Sequence, residues 1–154
     1  MSLFGGKTVR AVLSEILRQN QFTTHFALDK VSKENASLKL NEKTASIGFI
    51  YRHIGETMNL FGQLLGIPTD VTNTTIGQID NGQGADVERS RELIAKGFVV
   101  LQRLIEDSAD EDWLKMVDTP FFGTVTRVRL FAHALFHNAH HAGQISMTLA
   151  KGSN

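Results

Sequence analysis

Only two prolines, Pro68 and Pro120, interrupt 154 residues, and alternation of β-branched residues is weak, so the helix is the element this chain can build. Four stretches carry apolar residues at helical spacing. The first runs roughly from Lys7 to Val31, with Val9, Val12, Leu13, Ile16 and Phe26 on one side. The polar stretch "SKENASLKLNEKT" separates it from the second, roughly Thr44 to Leu65, which Gly66 and Pro68 close. The third runs roughly from Asp86, a helix-capping residue type, to Glu106, with Leu93, Val100, Leu101 and Leu104 inward. The fourth runs roughly from Thr124 to Ala150, ending before Gly152. Ser108 and Glu111 have capping-box spacing for a short helix between the last two. The segment "GIPTDVTNTTIGQIDNGQGA" is long, polar and unpatterned, as crossovers, lids and linkers are. These features predict an all-α fold: a four-helix bundle with a long crossover connection and a short connecting helix, in one domain over residues 1–154.

Sixteen basic residues balance sixteen acidic ones. No field favours nucleic acid or an anionic membrane, so neither is an expected partner. The absence of cysteine excludes disulfides, thiolate ligands and a cysteine nucleophile. The N-terminal "MSLFGGKTVR" lacks the apolar core of a secretory signal and no stretch is long enough to span a membrane, so a cytoplasmic location is expected.

Histidine is the residue that points to chemistry. Four of the six lie in "FAHALFHNAHHAGQI": His133, His137, His140 and His141. On a helix turning about 100° per residue they share one arc beside the stripe of Leu130, Phe131, Ala134, Ile145 and Leu149. His137 and His141 are four residues apart, so both can reach one metal ion from adjacent turns. In the second helix, His53 falls on the apolar side with Phe49, Ile50, Ile54, Thr57, Leu60, Phe61 and Leu64. Arg52, Glu56, Asn59 and Gln63 gather opposite. A buried imidazole must find partners for two nitrogens. The bland alternatives are a core histidine bonded to a backbone carbonyl and a solvated histidine-rich face.

No Glu-x-x-His and no His-Glu-x-x-His occurs, which disfavours a carboxylate-bridged di-iron bundle and a zincin helix. Three neutral imidazoles around one divalent ion remain: His53, His137 and His141. Zinc and nickel both suit such ligands, and three protein ligands leave coordination positions open. His133 and His140 are then candidates for proton transfer or for packing around the ligands, and His140 can also replace a neighbour as ligand. Gln144, one turn on, is placed to orient a ligand or a bound molecule, or simply to bond a neighbouring helix.

The stretch "FHNAHHAGQI" resembles the "NHxxHHRGQI" signature of DinB-like proteins, a family that includes bacillithiol- and mycothiol-dependent transferases. "SIGFIYRHIGE" resembles the segment carrying that family's first ligand histidine, and "FFGTVTRVRLFAHALFH" fits its lead-in, so the resemblance runs from about Thr44 onward. It implies a four-helix bundle of unusual connectivity, often a homodimer, with one metal on His53, His137 and His141. Ala142 stands where arginine is usual and Phe136 where asparagine is usual, which removes no ligand but does remove the arginine's contacts.

The activity expected is that of a metal-dependent transferase or hydrolase. It would turn a low-molecular-weight thiol or water on an electrophilic small-molecule substrate. The alternatives are a non-catalytic metal-containing ligand-binding or stress-response protein, and a metal-free scaffold with a titrating histidine patch. Trp113, Phe121 and Phe122 read as packing residues, the two phenylalanines alternatively as a roof over the metal pocket, and His25 as partly exposed.

Overall fold

Ser46 and Asp86 begin two of the helices by the same chemistry: each side-chain oxygen accepts a backbone N–H three residues on, from Phe49 and Arg89. In the computed structural model, which describes residues 8–154, the long elements are α1 (Thr8–Leu28), α2 (Ile47–Leu64), α3 (Val87–Asp107) and α4 (Arg127–Lys151). The expected start of the first helix at Lys7, and most of the N-terminal segment read for a signal, lie outside the described residues. No helix among the described residues is long and apolar enough to cross a membrane.

The four helices form a bundle whose second connection is the long crossover. Gly55 packs against Leu93 and Gly97 against Met58, so α2 and α3 run side by side in the same direction. A Cβ at Gly55 would come within 2.8 Å of the Leu93 Cβ, and one at Gly97 within 2.7 Å of the Met58 Cβ. Only glycine permits that approach. Two parallel helices require the chain to return along their length, which residues 66–86 do. α1 runs against α3, because Arg10 bonds the Glu106 carbonyl and Arg91 bonds the Val31 carbonyl. α4 runs against α2, because Phe61 packs on His133 and the Asn138 amide donates to Met58 Sδ, and Ile54, Met58, Phe131 and Ile145 are buried in the common core.

The crossover is anchored rather than loose. The Glu56 carboxylate, 1% exposed, accepts the backbone N–H groups of Thr74 and Thr75 at 2.8 and 3.0 Å and both their hydroxyls at 2.7 Å. Arg52 Nε donates to it at 2.7 Å. Asp80 receives the Ser46 N–H at 2.8 Å, and Gly84 lies against Gly48.

Several expectations need correction. Val12, Ile16 and Phe26 of α1 are exposed, whereas Leu13 and Leu17 are buried with Asn20 and Thr24. The inward face of α1 is thus partly polar, a pattern that apolar spacing does not reveal. Glu56 and Asn59 are not on a solvated face. The crossover covers the first, and α3 covers the second, whose amide donates to the Gly55 and Leu93 carbonyls. The connecting helix is a single 3-10 turn (Asp110–Leu114), begun not by Ser108 and Glu111 but by Asp112 accepting the Ala109 N–H at 2.8 Å. Residues 124–126 are not helical. They lie in β2 (Gly123–Thr126), which pairs antiparallel with β1 (Met116–Thr119) around a turn where Gly123 has φ +66°. This small hairpin interrupts the otherwise helical fold. Thr126 caps α4 by accepting the Arg129 N–H.

Candidate metal centre

His53 sits mid-way along α2 on the side that meets α4, and the antiparallel course of α4 brings His137 and His141 opposite it. The His53 and His137 Nε2 atoms are 2.9 Å apart. Ring centroids lie 4.8 Å apart for His53–His137, 4.9 Å for His53–His141 and 4.3 Å for His137–His141. Each of the three offers a nitrogen, and these nitrogens lie within 4.8 Å of one another.

Neighbouring groups orient two of the rings. Thr75 Oγ1 gives its single proton to Glu56, so toward His53 it can only accept. His53 Nδ1, 3.1 Å from that oxygen, therefore carries the hydrogen, and the Nε2 lone pair faces α4. Gln144 does the same for His141: its Oε1 accepts from Nδ1 at 2.5 Å and leaves Nε2 free. His137 Nδ1 is buried without a hydrogen-bond partner.

The rings are held neutral. Burial and the neighbouring His141 push His53 down to about 4, with Glu56 opposing. Burial, then the other histidines, depress His137 further still. Burial lowers His141 too, partly offset by Gln144.

A divalent ion fits this donor set. Neutral imidazoles offer lone pairs, and two nitrogens 2.9 Å apart can both lie about 2.0–2.1 Å from one ion. Without an ion, acid should destabilise the site. His53 has a folded pKa below its unfolded value, so its contribution is full above about pH 6.5 and is lost as pH falls toward 4. Denaturant titration of metal-free protein should show stability about 2 kcal/mol lower at pH 5 than at pH 7 from His53 alone. A stability flat over that range would contradict the half-buried, neutral assignment of His53.

The remaining expected residues surround the three rather than join them. His140 is exposed, its ring 5.0 Å from that of His141. His133 is 6.2 Å from His137 and packs on Phe122 at 4.5 Å and Phe61 at 5.6 Å. Phe121 and Phe122, expected in the core, are 44% and 41% exposed at the hairpin turn, where they roof a pocket beside His133. Trp113 packs on Phe131, and His25 is half-buried. Ala142 is buried in the core and Phe136 is 73% exposed. Sequence reasoning missed Glu56 and Thr75. The spacing of Glu56 one turn from His53 was the available hint, but Thr75 reaches the site only through the folding-back of the crossover.

The family model of the DinB superfamily matches residues 16–145. The chain belongs to the DinB superfamily. No curated protein matches it. Among solved structures, a conserved protein from Enterococcus faecalis superposes with a TM-score of 0.67 at 14% identity, covering 93% of this chain and 98% of that one. A DinB-like protein from Bacillus cereus gives 0.67 at 18% identity, with 92% of each chain covered. A protein described as a four-helix bundle gives 0.64 at 15% identity, with 89% and 98% covered. At such identities these likenesses establish the shared fold of this DinB-superfamily protein, and its chemistry has to be argued from its own residues.

Proposed function

We propose that this DinB-superfamily protein is a metal-dependent enzyme in which His53, His137 and His141 hold one divalent ion, zinc or nickel, and direct a small thiol or water at an electrophilic substrate. The observation that carries the reading is the convergence of three neutral imidazoles from two distant helices, two of them already in the tautomer that presents Nε2. An ion held there supplies Lewis acidity, lowering the pKa of a thiol or water brought to it. The chain has no cysteine, so any reacting sulfur comes from an outside molecule.

The protein's own groups do the rest. Thr75 and Glu56 fix the His53 ring, and Gln144 fixes His141. His140 borders the same cavity as His53 and His141 and is open to solvent, so it is placed to take a proton from the nucleophile and pass it to water. His133 lies on the other side of His137, against aromatic rings, and is the less favoured proton carrier.

Elemental analysis of protein purified without a histidine tag should find one divalent ion per chain. The loaded protein should consume a low-molecular-weight thiol in the presence of an alkyl halide or epoxide, or else hydrolyse ester or amide substrates. Protein lacking stoichiometric metal would sink the centre. A fully loaded protein inert to both substrate groups would reduce it to a ligand-binding module.

A further inference from the structure

Five glycines lie within the helices of the described residues, and four of them are there for contact. A Cβ at Gly48, Gly55, Gly62 or Gly97 would come closer than 3.0 Å to a neighbouring segment. Gly143, in the second half of α4, is the exception: a Cβ there would meet nothing within 4 Å. Glycine is the poorest helix former after proline, so Gly143 weakens α4 with no packing contact in return. It lines a cavity of about 660 Å³ between α2 and α4 that ends at His53 and His141. The missing side chain leaves room in that cavity.

Phe49 and Ile50 line the cavity from α2, and Leu40 and Met147 flank it away from the histidines, 40% and 53% exposed. No lysine, arginine, aspartate or glutamate lines it. Three of its hydroxyls already give their protons to the protein: Thr44 to the Asn41 carbonyl, Thr75 to Glu56 and Thr148 to the Gln144 carbonyl. Away from the triad, a charged group would therefore lose its hydration with little to replace it. At the triad the demand is opposite, since an ion on three nitrogens has open positions for a head group, anionic ones included. His141 and Thr148, at the two ends of the α4 wall, are two turns apart. That is about 10 Å along the axis, room for an extended chain of about eight carbons. A second cavity, about 190 Å³, meets the triad from the other side between Phe61, Phe121 and Phe122, and has under a third of the volume.

We propose that the larger cavity selects an unbranched aliphatic ligand with one metal-binding head: the head meets the triad, the chain lies along Phe49 and Ile50, and Gly143 keeps the groove open for it. The proposal rests on the enzymatic reading above and specifies one ligand of that site. It is an aliphatic molecule with a single polar end, not a peptide or sugar thiol that carries polar groups along its length.

Hydroxamates supply a constant metal-binding head on a variable chain. The zinc-loaded full chain is titrated by calorimetry with acetohydroxamate through decanohydroxamate, with suberic acid monohydroxamate, whose far end is a carboxylate, and with hexane-1-thiol against glutathione. Affinity should rise about fourfold per methylene up to about eight carbons and then level off. Suberic acid monohydroxamate should bind at least about tenfold more weakly than octanohydroxamate, and glutathione more weakly than hexane-1-thiol. Gly143→Leu should weaken octanohydroxamate at least about tenfold while leaving acetohydroxamate affinity and zinc stoichiometry unchanged. Gly143→Ala should melt about 2–4 °C above wild type, since alanine favours the helix and meets no neighbour. Affinity independent of chain length, equal binding of the monohydroxamate, a Gly143→Leu variant that binds octanohydroxamate like wild type, or a destabilised Gly143→Ala variant would overturn the proposal. If the protein holds no stoichiometric metal, linear alcohols from butan-1-ol to octan-1-ol take the place of the hydroxamates. A rise with chain length and a loss in Gly143→Leu would then sink the metal centre and leave the chain pocket standing, and their absence would sink both.

Discussion

His137→Ala is expected to strip the protein of its metal while leaving the helices intact. Losing one of three imidazoles should weaken the ion by about a thousandfold, taking the free energy of zinc binding as shared over its ligands. Folding should survive for a local reason. In the metal-free state His137 is a half-buried ring kept neutral by its surroundings, with its buried Nδ1 unpartnered. Removing it deletes an unsatisfied polar group and leaves space next to a cavity that already exists. The metal-free variant should therefore melt close to metal-free wild type, and should lose less stability in acid. Wild type alone should gain stability on adding zinc, about 4 kcal/mol at a thousandfold excess over Kd. Elemental analysis and melts with and without zinc check this. The variant binding metal at wild-type occupancy would remove His137 from the centre.

The second large effect concerns a residue that touches no ion. Glu56→Ala should cost about 3–5 kcal/mol, a substantial part of the stability of an ordinary domain. Burial alone would raise the carboxyl pKa, but hydrogen bonds from Thr74, Thr75 and Arg52 outweigh it and hold the group ionised below its usual range. The substitution removes an acceptor shared by two backbone N–H groups, two hydroxyls and the Arg52 guanidinium, of which only the Thr75 N–H and Arg52 Nε keep a second one, Asn73 Oδ1 at 3.2 Å and Thr74 Oγ1 at 3.0 Å. The crossover would lose its hold on α2. Thr75 would lose the partner that makes it an acceptor for His53, so metal affinity should fall about 10–100-fold in whatever protein remains folded. Thr75→Val should reproduce the loss of affinity with a much smaller loss of stability, and Thr75→Ser should restore it. Denaturant unfolding and competitive metal titration separate the two effects. Glu56→Ala unfolding within about 1 kcal/mol of wild type would show that the network does not secure the crossover.

What could be read from residue order was whatever repeats along one helix. Leu93, Val100, Leu101 and Leu104 turned out buried because all four answer to a single period. The Asp86 cap held for the same reason, since a cap is made within three residues. The pairing of His137 with His141 is likewise local. Where a face depends on what covers it, the reading failed. Glu56 and Asn59 look solvated on a helical wheel and are buried by the crossover and α3. Val12 and Ile16 look like core and are exposed, while Asn20 reaches inward to the Leu135 carbonyl at 2.8 Å. The hairpin over residues 116–126 is too short for its alternation to stand out from the helix that follows.

The order of residues by itself determined four helical segments, the absence of any cysteine thiol in the chain, and a histidine spacing that only a metal or a mutual repulsion would notice. Tertiary structure alone decided that His53 faces that pair, that Thr75 and Glu56 hold it in one tautomer, and that two uncharged cavities meet there. The reason is physical: hydrogen bonds within a turn of helix depend on neighbours in the chain, whereas burial, lowered pKa and cavity shape depend on which distant segments exclude water together.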